Sequence, residues 1–340
     1  MLWTITAQDA DLRRRAFAGL RRFQSAPRRP ACAPPAEVAR IGRAALLARD
    51  GGAQGAGDRA PIILVPSLIN PPTVLDLTEQ RSLLRFLLRE GHEAYLLDWG
   101  TPGPDARDSD LADHVDSLLL PLARTLGRPA LLVGYCLGGT LTIGAAARGA
   151  ALGTPVRGVA TVAAPWDFAR YDDDFRARIA ETWARSQAGC ERLGLVPMEV
   201  FQTGFWSLDP ERTIAKYANF GEIEADTPAY HGFIALEDWA NEGAPLTLAS
   251  GRDLAERCYK ANITGSGQWS IGGTRVDPAR LDCPTLAIAS TTDRIVPAAA
   301  TPPADERIDL ALGHVGMMIG GRAQVALWRG LSDWLSRHGG

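Results

Sequence analysis

Lysine is nearly absent from this chain of 340 residues: only Lys216 and Lys260 occur, so arginine carries almost all of the positive charge. The net charge of −3 at pH 7 excludes the strongly basic balance that is typical of nucleic-acid-binding proteins. Long hydrophobic runs are also missing. No stretch approaches the about 20 apolar residues of a membrane-spanning helix, and no N-terminal segment is typical of a signal peptide. We therefore expect a cytoplasmic protein that binds no nucleic acid.

Patterns that bind metals or cofactors are missing as well. The five cysteines are odd in number and lack the short spacings of metal ligands, and in a chain of this length they indicate a reducing compartment. The sequence has no glycine-rich phosphate loop, no dinucleotide fingerprint and no internal repeat. We expect neither a metal nor a cofactor in the site.

What the chain does contain is a cysteine in the frame of a nucleophile elbow. Residues 131–141 read Leu-Leu-Val-Gly-Tyr-Cys-Leu-Gly-Gly-Thr-Leu, which has the form G-x-C-x-G, with Cys136 where serine usually stands. An apolar strand precedes the motif and an alanine-rich helix follows it, while Gly134 and Gly138 permit the cramped turn. The alternative is a small buried cysteine. The position favours a nucleophile, and a thiol there indicates acyl transfer through a thioester.

Two further residues follow in the order that a catalytic triad of this kind requires. Asp293 comes just after a short apolar run, residues 285–290, and His314 lies in a glycine-flanked loop before the last predicted helix. Taken singly, Asp293 is compatible with a turn or helix cap, and His314 with a polar surface residue. The order nucleophile, acid, histidine is that of the α/β-hydrolase fold, so we predict Cys136, Asp293 and His314 as the catalytic residues.

The predicted chemistry also needs two backbone N–H donors for the oxyanion that develops during acyl transfer. One is predicted at Leu137, which follows the nucleophile, and the other after the first core strand, at Leu68 or the adjacent Ile69, of which Leu68 is our choice. The helix that begins near Leu137 points its positive end at the sulfur. His314 is expected to accept the thiol proton and Asp293 to fix the imidazole tautomer.

The pattern along the chain predicts an α/β fold in four segments. Residues 1–60 are expected to form a basic helical segment and connectors, with a flexible linker at 50–58. Residues 61–165 and 275–340 alternate strands with helices, which predicts a mostly parallel sheet with helices on both faces. Residues 166–274 interrupt this alternation with helical, aromatic-rich sequence, and we predict that they form an inserted lid.

Within these segments, apolar periodicity predicts individual elements. Strands are predicted at residues 62–65, 94–98, 130–133, 158–163 and 285–290, and helices at residues 7–23, 80–90 and 110–126. Asp98 and Trp99 end a strand at the edge of the sheet where ligands bind, although a structural role is favoured for both. His114 follows Asp113 in a charged helix and is expected to be solvated.

Longer stretches support a family resemblance. Besides the cysteine motif they are residues 66–77 (PSLINPPTVLDL), 81–85 (RSLLR), 95–100 (YLLDWG) and 271–276 (IGGTRV). With these stretches the chain resembles the polyhydroxyalkanoate synthases, a cysteine-dependent branch of the α/β-hydrolase superfamily, over residues 61–335. The short chain is similar to the small synthase classes, whose catalytic subunit works beside a second, different subunit.

The resemblance implies that the substrate is a 3-hydroxyacyl-coenzyme A thioester and the product a polyester. Cys136 would accept the acyl group, and His314 would deprotonate the hydroxyl of another acyl unit, assisted by Asp293, so that an oxoester chain grows. The expected partners are this substrate, the growing polyester or a granule surface, and a second synthase subunit within a homo- or hetero-oligomer.

Other interpretations remain open from the sequence. A thioesterase or polyester hydrolase would use the same triad with water as acceptor, and a non-catalytic granule protein would keep the fold without turnover. The helix at residues 7–23 is expected to dock on the core, although an arginine-rich helix also suits a granule surface or the phosphates of coenzyme A. The aromatic residues within 166–274 are compatible with ordinary core packing as well as with a lid.

Overall fold

A computed structural model describes residues 2–28, 33–49, 59–206 and 210–340, so the linker predicted at residues 50–58 lies outside the described residues. The strands are β1 Ala36–Ile41, β2 Ala44–Ala48, β3 Ile62–Val65, β4 Ala94–Asp98, β5 Leu131–Tyr135, β6 Gly158–Val162, β7 Leu195–Val196, β8 Leu246–Thr247, β9 Ser270–Ile271, β10 Thr274–Arg275, β11 Thr285–Ser290 and β12 Glu306–Leu310. The α-helices are α1 Leu2–Ile5, α2 Ala10–Ser25, α3 Leu83–Arg89, α4 Leu111–Asp113, α5 Leu120–Arg124, α6 Leu137–Ala151, α7 Asp173–Leu193, α8 Glu199–Trp206, α9 Pro210–Phe220, α10 Pro228–Asn241, α11 Leu248–Arg252, α12 Gly316–Ile319 and α13 Arg329–Gly339. Segments of π-helix cover His114–Leu119, Asp253–Lys260 and Gln324–Trp328.

One eight-stranded sheet organises the chain, in the strand order β1-β2-β4-β3-β5-β6-β11-β12. From β4 to β12 in this order each pair of neighbours is parallel, whereas β1 pairs with β2, and β2 with β4, in antiparallel fashion. Helix α6 contributes to the hydrophobic cluster on one face, and α3, α12 and α13 contribute to the cluster on the other. The predicted fold class, a mostly parallel sheet with helices on both faces, is confirmed.

The central strands are short apolar runs because both of their faces are covered. Every residue of β3, β5, β6 and β11 is buried, which is the pattern expected of parallel strands between two layers of helices. Since these strands are parallel, their carboxyl ends meet at one edge of the sheet. The residues that follow β3, β5 and β11 are therefore brought together there.

The N-terminal segment differs from the prediction. Residues 36–48 form the hairpin β1–β2, which extends the main sheet, although the sequence analysis assigned residues 1–60 to a helix and connectors. Strand β2 has the sequence Ala-Ala-Leu-Leu-Ala, which has no β-branched residue, and its strand conformation depends on pairing with β4, about fifty residues later in the chain. Gly42, at φ +55°, makes the turn between the two strands.

The segment between β6 and β11 is mainly helical. Helix α7 begins after Asp172, whose side chain accepts a hydrogen bond from the Phe175 N–H, and it ends at Gly194, where φ is 73°. The predicted N-terminal helix, α2, docks on α9 of this segment, so closely that a Cβ on Gly19 would lie 1.8 Å from the Tyr217 carbonyl oxygen. We call residues 166–274 the cap. Among the described residues, no helix has both the length and the hydrophobicity required to cross a membrane.

A buried ion-pair network fixes the chain after β3. The Asp76 carboxylate, 2% exposed, accepts hydrogen bonds from the Ser82 hydroxyl at 2.7 Å, Arg85 Nε at 3.1 Å and Arg49 Nε at 2.5 Å. Ser82 also caps helix α3. The network ties the segment after β3 to α3 and to the end of β2, and it explains why two of the longer sequence stretches carry these polar residues.

We expect Asp76→Ala to lower the free energy of unfolding by roughly 3–5 kcal/mol, because it removes the buried carboxylate that pairs with Arg49 and Arg85, whose side chains are only 13% and 23% exposed. Urea denaturation followed by circular dichroism measures the change. The matched control is Asp108→Ala, since the Asp108 side chain is 96% exposed and lies 4.0 Å from its arginine neighbour. Equal denaturation midpoints for the two variants would contradict the importance of the network.

Candidate active site

Cys136 lies at the turn between β5 and α6, with φ 54° and ψ −130°. Residues other than glycine rarely adopt a positive φ, and the cost in backbone strain is of order 1–3 kcal/mol. The backbone around the residue is held on both sides: the Cys136 N–H donates to the Val162 carbonyl at 2.9 Å, and the Cys136 carbonyl accepts from the Gly139 N–H at 2.8 Å. The structure therefore has the strained strand-to-helix turn that the G-x-C-x-G motif predicts.

The two glycines of the motif are required by close backbone contacts. A Cβ on Gly134 would lie 2.4 Å from the Gly139 Cα, and a Cβ on Gly138 would lie 2.3 Å from the Val65 carbonyl oxygen. The first contact lets the helix begin immediately after the strand. The second brings the first turn of α6 against the end of β3.

His314 and Asp293 meet beside this turn. His314 Nδ1 lies 2.6 Å from Asp293 Oδ2, and the two side chains are 8% and 0% exposed. The other carboxylate oxygen, Oδ1, accepts hydrogen bonds from the N–H groups of Ile295 at 2.7 Å and Val296 at 3.1 Å. Because the carboxylate accepts at Nδ1, that nitrogen carries a proton, and Nε2 is the nitrogen left to exchange protons.

Cys136 is the third member of this group, because its side chain interacts with that of His314. Burial alone lowers the pKa of His314, but the negative charges of Asp293 and Cys136, together with hydrogen bonds to both side chains, raise that pKa to about 10. A negative charge on Cys136 thus favours the protonated imidazole. The structure brings Cys136, Asp293 and His314 together, and their catalytic role remains a prediction.

The two backbone donors predicted for the oxyanion lie at the same edge of the sheet. Val65 of β3 is in register with Gly134 of β5, so Leu68 and Leu137 both follow the ends of neighbouring strands. Within the described part of the chain neither N–H has a protein acceptor, whereas the Ile69 N–H faces the Ser67 hydroxyl at 3.5 Å. Unpaired backbone N–H groups are rare inside proteins and are suited to an anion that forms only during reaction.

Aromatic side chains of the cap lie near Cys136, which is itself half-buried. Phe168, Tyr171 and Tyr259 are buried, and their ring centroids lie 4.9–5.6 Å apart. Burial raises the pKa of Tyr171 and Tyr259 well above the usual value, and a negative charge on Cys136 contributes to both shifts. The sequence predicts aromatic residues within 166–274 but does not single out these three, and the helical surroundings of Tyr259 gave no sign of its place near the site.

His114 is not solvated, which corrects the prediction. The side chain is buried, His114 Nδ1 lies 2.6 Å from the Asp110 carbonyl oxygen, and Nε2 lies 2.6 Å from Arg43 Nη2. Burial lowers the pKa of His114 to about 4. The error has a physical reason: a π-helical stretch, His114–Leu119, interrupts the predicted helix and shifts which side chains face inward.

A large cleft ends next to the site without reaching the cysteine. Its volume is about 1700 Å³, and its walls include Leu68, Trp99 and Trp239, but not Cys136, Asp293 or His314. The three predicted catalytic residues are thus separated from this cleft in the structure. No group of three or more metal-binding side chains occurs among the residues described.

Comparison with known proteins agrees with the geometry. Residues 62–326 match the model of the alpha/beta hydrolase family. A poly(3-hydroxyalkanoate) polymerase subunit from Haloferax mediterranei is 30% identical over 81% of this chain and 58% of its own length, and one from Allochromatium vinosum is 27% identical over 81% of this chain and 80% of its own. The chain thus spans less than two thirds of the Haloferax protein.

A solved structure shows the same fold. A candidate aryl esterase from Burkholderia cenocepacia superposes with a TM-score of 0.51 and 16% identity, over 87% of this chain and 95% of that protein. At this identity the likeness concerns the fold alone, whereas the polymerase subunits are similar in sequence across most of the chain. The resemblance predicted from the sequence is confirmed: the chain belongs to the alpha/beta hydrolase family and is similar to its poly(3-hydroxyalkanoate) polymerases.

Proposed function

We propose that this protein is an acyltransferase that polymerises 3-hydroxyacyl groups from coenzyme A thioesters into a polyester, through a thioester on Cys136. The observation that carries the proposal is the cysteine at the elbow beside the His314–Asp293 pair, 2.6 Å apart. The similarity to proteins named poly(3-hydroxyalkanoate) polymerases supports the choice of substrate.

In the first half-reaction the Cys136 thiolate attacks the carbonyl carbon of the thioester. The developing oxyanion is held by the N–H groups of Leu68 and Leu137. The C–S bond to coenzyme A breaks, and the coenzyme A thiolate takes the proton from His314 Nε2. Exchange of one thioester for another is nearly isoenergetic, which is why a thiol suits this donor better than a hydroxyl does.

In the second half-reaction His314 accepts the proton of a hydroxyl group on another acyl unit. The alkoxide attacks the Cys136 thioester, an oxoester bond forms, and the Cys136 thiolate leaves. Asp293 is buried and both of its oxygens already accept hydrogen bonds, so we assign it the role of orienting His314 and stabilising the imidazolium. The assistance from Asp293 that the resemblance implied is therefore assigned to its hold on His314 and not to contact with the hydroxyl.

Exclusion of water separates a polymerase from a hydrolase with the same triad. The cap aromatics belong to the hydrophobic cluster against which the half-buried Cys136 packs, and His314 is only 9% exposed as a residue. A dry site favours transfer to a bound hydroxyl over hydrolysis.

The proposal is tested with 3-hydroxybutyryl-coenzyme A, by measuring release of coenzyme A and separating the products into polymer and free acid. Polymer is the expected product. Free acid as the main product would instead indicate a hydrolase, and no release of coenzyme A would indicate a protein that has kept the fold without turnover.

The cap should also slow access to Cys136, as a lid does. We expect a bulky maleimide to alkylate Cys136 at least about tenfold more slowly than it alkylates a free thiol, since reaction waits for local opening. Peptide mapping separates modification of Cys136 from that of Cys283, which is also half-buried, whereas Cys190 and Cys258 are buried. The control is the same reaction in urea. Alkylation of the native protein at the free-thiol rate would show that the cap does not close the site.

A further inference from the structure

We propose that Trp99 is a positioning residue that fixes the orientation of the oxyanion loop, defined here as residues 66–69. The inference rests on the proposed acyl transfer through Cys136. Trp99 directly follows β4 and is 6% exposed, and its indole N–H donates a buried hydrogen bond of 3.0 Å to the Pro66 carbonyl oxygen. Trp99 acts through the loop and does not contact the reacting atoms.

The Pro66 carbonyl contacts two elements. Besides the indole it lies against α6, because a Cβ on Gly138 would be 2.5 Å from the Pro66 oxygen. A peptide group is planar, so fixing this carbonyl also fixes the Ser67 N–H and the direction in which the chain enters Leu68. The loop that carries the Leu68 donor is thereby tied to the helix that carries the Leu137 donor.

Trp99 is itself held in place by His114. The two rings meet edge to face, with centroids 5.6 Å apart and an interplanar angle of 72°. The Asp110 carbonyl oxygen accepts from Nδ1–H, and the Arg43 guanidinium donates to Nε2, so the neighbours of His114 admit only the neutral tautomer with hydrogen on Nδ1. The stretch at residues 95–100, which contains Trp99, therefore supplies a fixed hydrogen-bond donor to the oxyanion loop, a role that the position of Trp99 at the strand end did not reveal.

The test compares two reactions of Cys136, one that passes through an oxyanion and one that does not. Acylation of Cys136 by a p-nitrophenyl ester forms an oxyanion and is measured as a burst of p-nitrophenol, whereas alkylation by iodoacetamide forms none. We expect Trp99→Phe to lower the acylation rate about 10- to 100-fold and to leave the alkylation rate within about twofold, because misplacement of one oxyanion donor is costly to acyl transfer alone.

Trp328→Phe is the matched control. Trp328 is 2% exposed, and its indole donates a buried hydrogen bond of 3.1 Å to the Met318 carbonyl and not to the oxyanion loop. If Trp99→Phe does not fold, 3-benzothienylalanine at position 99 replaces the indole N–H with sulfur at the same ring size and takes its place in the assay.

Three outcomes would overturn the proposal: acylation by the Trp99 variant at the wild-type rate, a parallel fall in acylation and alkylation, or an equal loss in Trp328→Phe. Failure of the proposed function is recognised separately. If the wild-type protein gives a burst with the ester but does not react with coenzyme A thioesters, the proposed substrate is wrong. The proposed role of Trp99 is then unaffected. A wild-type protein that no acyl donor labels on Cys136 would overturn both.

Discussion

Replacement of Cys136 by alanine is expected to lower the release of coenzyme A from 3-hydroxybutyryl-coenzyme A by at least about 10⁴-fold, the scale on which loss of a nucleophile acts in comparable triads. No other group in the described site can form the thioester that links the two half-reactions. Alanine also lacks the bulk to disturb the turn, so the melting temperature should stay within a few degrees of that of the wild type.

Cys283→Ala is the matched control, because Cys283 is half-buried and burial raises the pKa of its thiol to about 11. That variant should keep wild-type turnover. Substantial turnover by purified Cys136→Ala, or an equal loss in the control, would remove Cys136 from the mechanism.

His314→Gln is expected to slow both acylation and chain elongation by about 10²- to 10⁴-fold, since one imidazole moves the proton in each step. Glutamine keeps a polar side chain of similar length but cannot hold a mobile proton. Single-turnover acylation and steady-state polymer formation are measured side by side.

The control for this substitution is His338→Gln, a histidine near the C-terminus that lies 3.4 Å from Glu306. It should leave both rates unchanged. A His314→Gln variant that is slow in only one of the two steps would show that different groups transfer the proton in the two half-reactions.

The parts of the fold that the sequence predicts well are those with strong local signals. Strand β3 is an unbroken apolar run, and its observed bounds, Ile62–Val65, agree with the prediction. The hairpin β1–β2 was missed, because an alanine- and leucine-rich segment becomes a strand only by pairing with β4. The interruption of the predicted helix at residues 110–126 was also missed, since a π-helical stretch has no periodicity of its own in the sequence.

For the candidate site, the sequence identifies which residues meet but not how they are held. The elbow motif and the chain order are local or topological properties, and they identify Cys136, Asp293 and His314. Both carboxylate oxygens of Asp293 accept hydrogen bonds, and Trp99 donates one to Pro66. The bonds from His314 to Asp293 and from Trp99 to Pro66 join segments that are distant in the sequence. Such contacts are set by the tertiary fold, so one sequence could not predict them.

The central claim is that Cys136 carries the acyl group in a site that excludes water. Butyryl-coenzyme A tests it most directly, because its acyl group has no hydroxyl to continue a chain. After quenching, peptide mass spectrometry should find a butyryl thioester on Cys136, sensitive to hydroxylamine, with about one coenzyme A released per protein. Repeated turnover to free butyrate, or release of coenzyme A with no adduct on Cys136, would contradict the account.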